Sequence, residues 1–282
     1  MEYKSRLKEF GTCSAIDAIV REAEQRAADG SEQLYRQLME CLDVTWLGAT
    51  WDESQISERT KQLIDRHAAC GLPPVASVCV HPNFVETVGL AAGDTGLRIT
   101  SVGGGFPDGQ TFLEVKMLEV AMAVENGADE VDVVMTPGLI LAGRYDEAAS
   151  EIETLRSEIG EDVTLKVIIE SGALGSPELI RNASLLSMMA GADFVKSSTG
   201  RDPSGGITPE AAAVICCAIR DYAAATDHCV GFKASGGIRT LQNAAMMCAI
   251  VESVLGREWL TPALFRIGAS ALYDGLLSHF RQ

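Results

Sequence analysis

Residues 192–234 read ADFVKSSTGRDPSGGITPEAAAVICCAIRDYAAATDHCVGFKA, and their pattern decides the fold. A short apolar run, 192–198 (ADFVKSS), leads through a glycine-containing connection into a helical stretch, 208–225, and then into a second apolar run, 229–234 (CVGFKA). Thr208-Pro209-Glu210 is a helix start, with threonine as N-cap, proline at the first helical position and an acidic residue in the first turn. Strand, helix, strand in this order is the βαβ unit, whose two strands run parallel. Each strand carries a lysine, Lys196 and Lys233, at a place where burial normally rejects an ammonium.

Working outward, the unit repeats. Further strand candidates are 42–47 (LDVTWL), 75–81 (VASVCVH), 97–103 (LRITSVG), 130–135 (EVDVVM), 163–170 (VTLKVIIE) and 264–269 (LFRIGA), with helical stretches such as 110–126 between them. The glycines of ENGADE and MAGADF are placed to close a helix just ahead of a strand. Eight strands, each followed by a helix, predict an α/β fold closed as a (β/α)8 TIM barrel over residues 42–282. The alternative is an open doubly wound sheet. That fold usually carries a GxGxxG turn after its first strand, and the turn after LDVTWL has none.

Residues 1–41 form a short helical N-terminal extension, with helices expected over 14–29 and 31–41. Apolar residues on them are expected to pack over the barrel or against a neighbouring subunit, which makes a homo-oligomer the expected state. The composition, 47% hydrophobic and 22% charged over 282 residues, suits one large domain with a sizeable core. A formal net charge of −16 argues against nucleic acid or an anionic membrane as partner, and leaves room for a phosphorylated substrate held in a local positive pocket. No apolar run is long enough to span a bilayer and MEYKSRLKEF lacks a signal-peptide core, so a cytoplasmic location is expected. The eight cysteines contain no CxxC pair and read as free thiols, Cys216 and Cys217 being packing residues of a helix.

A third lysine, Lys166 in VTLKVIIE, repeats the anomaly of the other two. Side chains alternate along a strand, so Leu165 and Val167, Val195, and Phe232 take the helix-facing side. Lys166, Lys196 and Lys233 then point into the barrel, as does Asp132 between Val131 and Val133. A crowded, partly desolvated amine is a nucleophile toward carbonyls, which points to Schiff-base chemistry at the upper mouth of the barrel. The competing explanation is a buried salt-bridge network, and it accounts poorly for three ammonium groups around one mid-strand carboxylate.

The stretches LDVT, GADEVDVVM, LKVIIE, GADFVKSSTGR, VGFKASGGIRT and RIGAS, in this order, resemble the deoxyribose-phosphate aldolase family of class I aldolases, from about residue 42 to about residue 275. The resemblance implies reversible cleavage of 2-deoxy-D-ribose 5-phosphate to D-glyceraldehyde 3-phosphate and acetaldehyde, without a metal or cofactor. It implies Lys196 as the Schiff-base lysine and Lys233 as the second lysine that favours its neutral amine. It further implies Asp132 as the acid/base residue, Lys166 as a contact to the carbinolamine, and Asp43 as a support of this cluster. Cys79, on the aligned second strand, is read as packing. The phosphate is expected on backbone N–H groups after strands seven and eight, at Gly236, Gly237, Gly268 and Ser270, with Gly200, Arg201 and Arg239 adding donors and charge.

Several positions depart from the family. Arg201 replaces a lysine, Ala271 replaces a second serine, Gly103-Gly104-Gly105 lengthens and could loosen the third loop, and a longer tail closed by a tyrosine is not present before the end at Gln282. Rival functions remain on the residues alone. SGGIRT also resembles the phosphate turn of FMN-binding barrel oxidoreductases, although FMN leaves the strand lysines unexplained. A zinc aldolase lacks ligands, since only His81 lies near an upper strand end and His228 belongs to the opposite face. A non-catalytic phosphate-binding barrel has no need of Lys196. A related class I aldolase or thiolase with another carbonyl donor is the nearest rival.

Overall fold

The computed structural model describes residues 3–27 and 31–280. Eight strands, β1 (Leu42–Trp46), β2 (Ser77–Val80), β3 (Ile99–Gly103), β4 (Glu130–Val134), β5 (Thr164–Ile168), β6 (Phe194–Lys196), β7 (Gly231–Ser235) and β8 (Phe265–Ala269), form a closed parallel barrel in chain order. Helices follow the strands and cover the outside. Seven of the sequence-based strands are trimmed by one to four residues, and the seventh in the chain, expected over 229–234, starts two residues later and runs one further, to Ser235, because the barrel ladder ends where the chain turns into its loops.

The alternation of side chains is as the sequence predicts. Val131 and Val133, Leu165 and Val167, Val195 and Phe232 are buried against the helices at 0% exposure and belong to the main apolar core. Parallel register then sets which inward residues meet. Asp132 pairs with Lys166, Lys196 with Lys233, and Lys233 with Arg266 across adjacent strands.

Two helices matter for the site. Helix Pro209–Thr226 begins as its sequence predicts, the Thr208 side chain accepting from the Ala211 N–H at 3.1 Å. Helix Glu53–Cys70, which follows β1, opens on a capping box. Asp52 accepts from Gln55 N–H at 2.9 Å, and the Gln55 side chain accepts from Asp52 N–H at 3.1 Å. It ends on Gly71 at φ 58°, a left-handed cap that glycine takes without a Cβ clash. Gly127 and Gly191, at φ 98° and 96°, turn the chain ahead of β4 and β6 as ENGADE and MAGADF suggest.

The N-terminal segment contains helices Ile16–Arg26 and Glu32–Glu40, the second capped by Ser31. Residues 28 and 29 of the first expected helix lie outside the described residues. The first of these helices packs against Pro209–Thr226 and Leu241–Leu255, the second against Leu241–Leu255 and Ala271–Phe280. Their apolar faces are thus turned onto the barrel's own helices. Among the described residues the large apolar side chains left exposed are Leu90, Phe112, Val115, Leu118, Met122 and Leu141, none on the N-terminal helices. This corrects the reason for expecting an oligomer.

The thiols need a correction as well. Cys13 and Cys217 are paired as a disulfide, bridging the N-terminal segment to helix Pro209–Thr226, so these two are not free. Cys216 is a buried packing residue whose thiol burial pushes far up. The Gly103-Gly104-Gly105 loop is tied rather than loose. Gly105 N–H donates to Glu119 Oε2 at 2.8 Å, its carbonyl accepts from Gly109 N–H at 2.9 Å, and a Cβ on Gly104 would lie 3.1 Å from the β4 backbone.

Candidate active site

The inward side chains of β1, β4, β5, β6, β7 and β8 form one buried ionic cluster. Asp132 holds its centre. Its Oδ1 accepts from Lys166 Nζ at 2.9 Å, and its Oδ2 accepts from both Lys196 Nζ at 2.7 Å and Lys233 Nζ at 2.8 Å. Below it, Asp43 pairs with Lys233 at 2.5 Å and with Arg266 at 2.7 Å. Glu130 pairs through Oε2 with Lys166 at 2.5 Å and through Oε1 with Arg266 at 2.8 Å, and Oε2 also accepts from Thr100 Oγ1 at 3.0 Å. Arg98, half exposed at the barrel floor, also reaches Glu130 at 2.8 Å.

Sequence reasoning found one mid-strand carboxylate by position and Asp43 by resemblance, and it missed Glu130 and Arg266. The available signal was two further charges inside strand runs, Glu130 opening EVDVV and Arg266 inside FRIGA. Three buried carboxylates therefore face four buried cations, so the salt-bridge explanation is stronger than the sequence made it. The two explanations are compatible. The network leaves one positive charge over, and Lys196 has the fewest carboxylates, Asp132 alone, whereas Lys166 has three and Lys233 two.

The electrostatics follow from this packing. Burial alone would raise all three carboxyl groups, but the surrounding cations outweigh it. Lys166, Lys196 and Lys233 hold Asp132 far below the usual carboxylate range. Lys233, Arg266 and Lys166 do the same for Asp43. Burial and the neighbouring Asp43 oppose ionisation of Glu130, yet Lys166 and Arg266 bring it down to about 2. Burial likewise works against the charge on Lys233, and Asp132 and Asp43 overcome it, so this ammonium is held above its ordinary range. Burial pushes the Cys79 thiol up, which agrees with a packing role.

Lys196 differs from the other two lysines in one respect. It lines a cavity of about 600 Å3 at the upper end of the barrel, while Lys166 and Lys233, both at 0% exposure, lie beneath it with Asp132 and Asp43. Phe106, from the loop after β3, faces its ammonium at 5.9 Å. The same cavity is lined by Gly200, Arg201, Gly236, Gly237, Arg239, Gly268 and Ser270, so every residue expected near a phosphate shares one space with Lys196. Gly236 and Gly237 have φ of 85° and 80°, and a Cβ on Gly236 would meet Gly206 Cα at 2.8 Å, so these glycines are required by the backbone path. Arg201 keeps its guanidinium at the cavity wall by donating to the Leu47 carbonyl. Ala271 also lines the cavity, where the family's serine would add a donor. His81 is half-buried with its ring nitrogen 3.4 Å from the Leu47 carbonyl, and among the described residues no group of three or more potential metal ligands occurs.

One residue outside the sequence-based set organises this mouth. Glu170, just after β5, is 3% exposed and adopts φ 50°, ψ 64°, a left-handed conformation uncommon for a residue with a Cβ. Its carboxylate accepts from Ser198 Oγ at 2.5 Å, Thr199 Oγ1 at 2.5 Å and Thr199 N–H at 3.0 Å. Ser198 Oγ in turn accepts from Gly200 N–H at 2.9 Å, and Thr199 Oγ1 from Arg201 N–H at 3.1 Å. The Ser235 hydroxyl donates to the Ser198 carbonyl at 2.5 Å, which fastens the β6 loop to β7.

With this geometry in view, comparison with known proteins places the chain. The model of the DeoC/LacD family aldolases matches residues 48–272. The chain belongs to the DeoC/LacD aldolase family. A mouse relative, deoxyribose-phosphate aldolase, is 44% identical over 203 residues, which is 71% of this chain and 63% of that protein. The match thus spans somewhat less than two thirds of that relative's length. Among solved structures, the putative deoxyribose-phosphate aldolase of Coccidioides immitis superposes with a TM-score of 0.73 at 25% identity, over 95% of this chain and 98% of that one. The tetrameric deoxyribose phosphate aldolase of Aeropyrum pernix gives a TM-score of 0.68 at 25% identity, over 96% and 99% of the two chains. Within the DeoC/LacD aldolase family, the lysine pair around Asp132 is the feature of this chain to which a function must be attached.

Proposed function

We propose that this DeoC/LacD family aldolase cleaves 2-deoxy-D-ribose 5-phosphate reversibly to D-glyceraldehyde 3-phosphate and acetaldehyde through a Schiff base on Lys196. The observation that carries this reading is the placement of Lys196. It is a lysine on a rigid strand end, lining a cavity whose far wall is made of glycine loops and arginines, with a second ammonium held on the same carboxylate oxygen.

The residues divide the work as follows. Neutral Lys196 adds to the substrate aldehyde, and loss of water gives an iminium. Release of one proton from the cluster balances its charges, and Lys196 gives up the fewest ion pairs by supplying it. Lys233 stays charged beside it and opposes reprotonation. The iminium draws electrons from the carbon–carbon bond one removed, between its α and β carbons, which breaks to leave an enamine as the hydroxyl on the β carbon loses its proton and becomes the leaving aldehyde's carbonyl. Asp132 is ionised and hydrogen-bonded to Lys196, so it is the residue set to take and return protons there, by way of a water. Protonation of the enamine and hydrolysis then free acetaldehyde and Lys196.

Lys166 and Asp43 serve in this reading as buried supports of Asp132 and Lys233, since neither lines the cavity. The substrate phosphate is assigned to the loops after β6, β7 and β8, through Gly200, Arg201, Gly236, Gly237, Arg239, Gly268 and Ser270. The mouse deoxyribose-phosphate aldolase and the putative deoxyribose-phosphate aldolase of Coccidioides immitis support this substrate. Self-association is part of the proposal, on the precedent of the tetrameric Aeropyrum structure. Among the described residues no helix is long and apolar enough to cross a membrane, and a cytoplasmic site of action fits that.

A coupled assay supplied with 2-deoxyribose 5-phosphate, and in parallel with aldol adducts of dihydroxyacetone phosphate and pyruvate, tests the assignment. Turnover of the first alone is expected. Preference for either other donor would replace this reading by that of a related class I aldolase.

A further inference from the structure

In a chain of formal net charge −16, most of the described arginines away from the cavity pair with a carboxylate, as Arg36 does with Glu32 and Arg144 with Glu147, although Arg6, Arg21, Arg181 and Arg257 lack such a partner. The arginines around the cavity do not. Arg59, Arg66, Arg201 and Arg239 all line it, and among the described residues none of the four has a carboxylate partner. One acidic side chain, Asp274, lines the same cavity and leaves the positive charge in excess.

Arg201 and Arg239 belong to the loops assigned to the substrate phosphate. Arg59 and Arg66 do not. They come from helix Glu53–Cys70, where Arg59, Gln62 and Arg66, spaced three and four residues apart, share one helical face turned toward the cavity. Arg59 is held on a shelf, its guanidinium 4.4 Å from the centre of the Trp51 ring, which itself lines the cavity. The indole lies flat over Gly48, where a Cβ would come within 3.0 Å of the ring. The arrangement is a built wall, continuous with the space that contains Lys196.

We propose that Arg59, Gln62 and Arg66 form a second anion subsite, and that the cavity accepts ligands carrying a second phosphoryl group, in the class of bisphosphates and short polyphosphates. Two guanidinium forks offer more donors than the two oxygens of a carboxylate can use, and match the peripheral oxygens of a phosphoryl group; the Gln62 amide gives one hydrogen to Glu58 Oε1 at 2.8 Å and keeps its second for the subsite. One phosphoryl group occupies the glycine loops and the other meets the helix. The inference rests on the assignment of those loops to phosphate, and is independent of which carbonyl compound Lys196 attacks.

The test is isothermal titration calorimetry of the full chain with inorganic phosphate, pyrophosphate and tripolyphosphate, at a constant ionic strength of about 0.15 M so that bulk screening is equal. The wild type should bind tripolyphosphate at least about tenfold more tightly than phosphate. Arg59→Ala/Arg66→Ala should lose that gain and keep phosphate affinity within about threefold, while Arg59→Lys/Arg66→Lys should keep part of it. Equal affinity for the three anions in the wild type, or a gain that survives the double alanine change, overturns the subsite. Phosphate binding unaffected by Arg239→Ala overturns the loop assignment on which it rests. Borohydride trapping of acetaldehyde on the wild type reports the aldolase reading separately, because acetaldehyde carries no anionic group.

Discussion

Lys196 and Lys233, paired in register on β6 and β7, donate to the same carboxylate oxygen, Asp132 Oδ2, at 2.7 and 2.8 Å. Two ammonium groups this close repel, and the shared oxygen compensates only part of that repulsion. Lys196→Ala should therefore abolish turnover, and borohydride with acetaldehyde should add one ethyl group per chain, on Lys196. An active Lys196→Ala protein, or modification of a different lysine, would sink the assignment.

Removing the second charge has a directional consequence. Lys233→Leu takes away the ammonium that shares Asp132 Oδ2 with Lys196, so turnover should fall by about tenfold or more while the fold is kept. A fall in turnover matched by an equal loss of folded protein in urea unfolding would mean that Lys233 acts through stability alone.

The centre of the cluster cannot be neutralised cheaply. Asp132→Asn leaves Lys166, Lys196 and Lys233 facing one another without their shared partner, and breaking a buried pair in this way costs about 3–5 kcal/mol. Urea unfolding should show a loss of that order together with loss of activity. A variant as stable as the wild type would show that the other carboxylates or solvent take over the charge.

Stability should depend on pH on the acid side. Asp43, Glu130 and Asp132 bind protons less readily in the fold than in the unfolded chain, where carboxyl groups titrate near ~4. Their contribution is present above that value and drains as pH falls toward about 2, where Glu130 titrates in the fold. Lys233 is shifted the other way, so its share persists through neutrality and is lost only above roughly pH 10.4. Urea midpoints measured from pH 7 down to 2.5 should decline below about pH 4. A flat series would show that these groups are not paired in solution as they are here.

Glu170 gives a prediction that no strand lysine makes. Glu170→Ala removes the acceptor of Ser198 and Thr199 and frees the Gly200-Arg201 turn. KM for the phosphorylated substrate should rise by about tenfold, with Glu170→Gln closer to wild type because the amide oxygen still accepts. Equal KM in all three proteins would show that the loop holds its shape without this carboxylate.

Much of this molecule is determined by the sequence alone. Eight apolar runs strictly alternating with helical segments point to a parallel barrel, because a helix between consecutive strands is the usual crossover of a parallel sheet and eight such units are the number that closes it. Period-two alternation sends Lys166, Lys196, Lys233 and Asp132 inward, since the neighbouring valines, leucines and phenylalanine claim the helix-facing side. Pairing across strands is a different matter. Asp43 meets Arg266 only when β8 closes on β1, and the closed barrel also brings Arg266 to Glu130 over 136 residues of chain. The pairing of Cys13 with Cys217, the hold of Glu170 on the β6 loop, and the turn of helix Glu53–Cys70 toward the cavity are equally long-range or conformational, and no local spacing encodes them. Above all, the sequence shows three lysines as equals. Tertiary structure separates them, because depth in the barrel buries Lys166 and Lys233 under carboxylates and leaves Lys196 at the surface of the cavity.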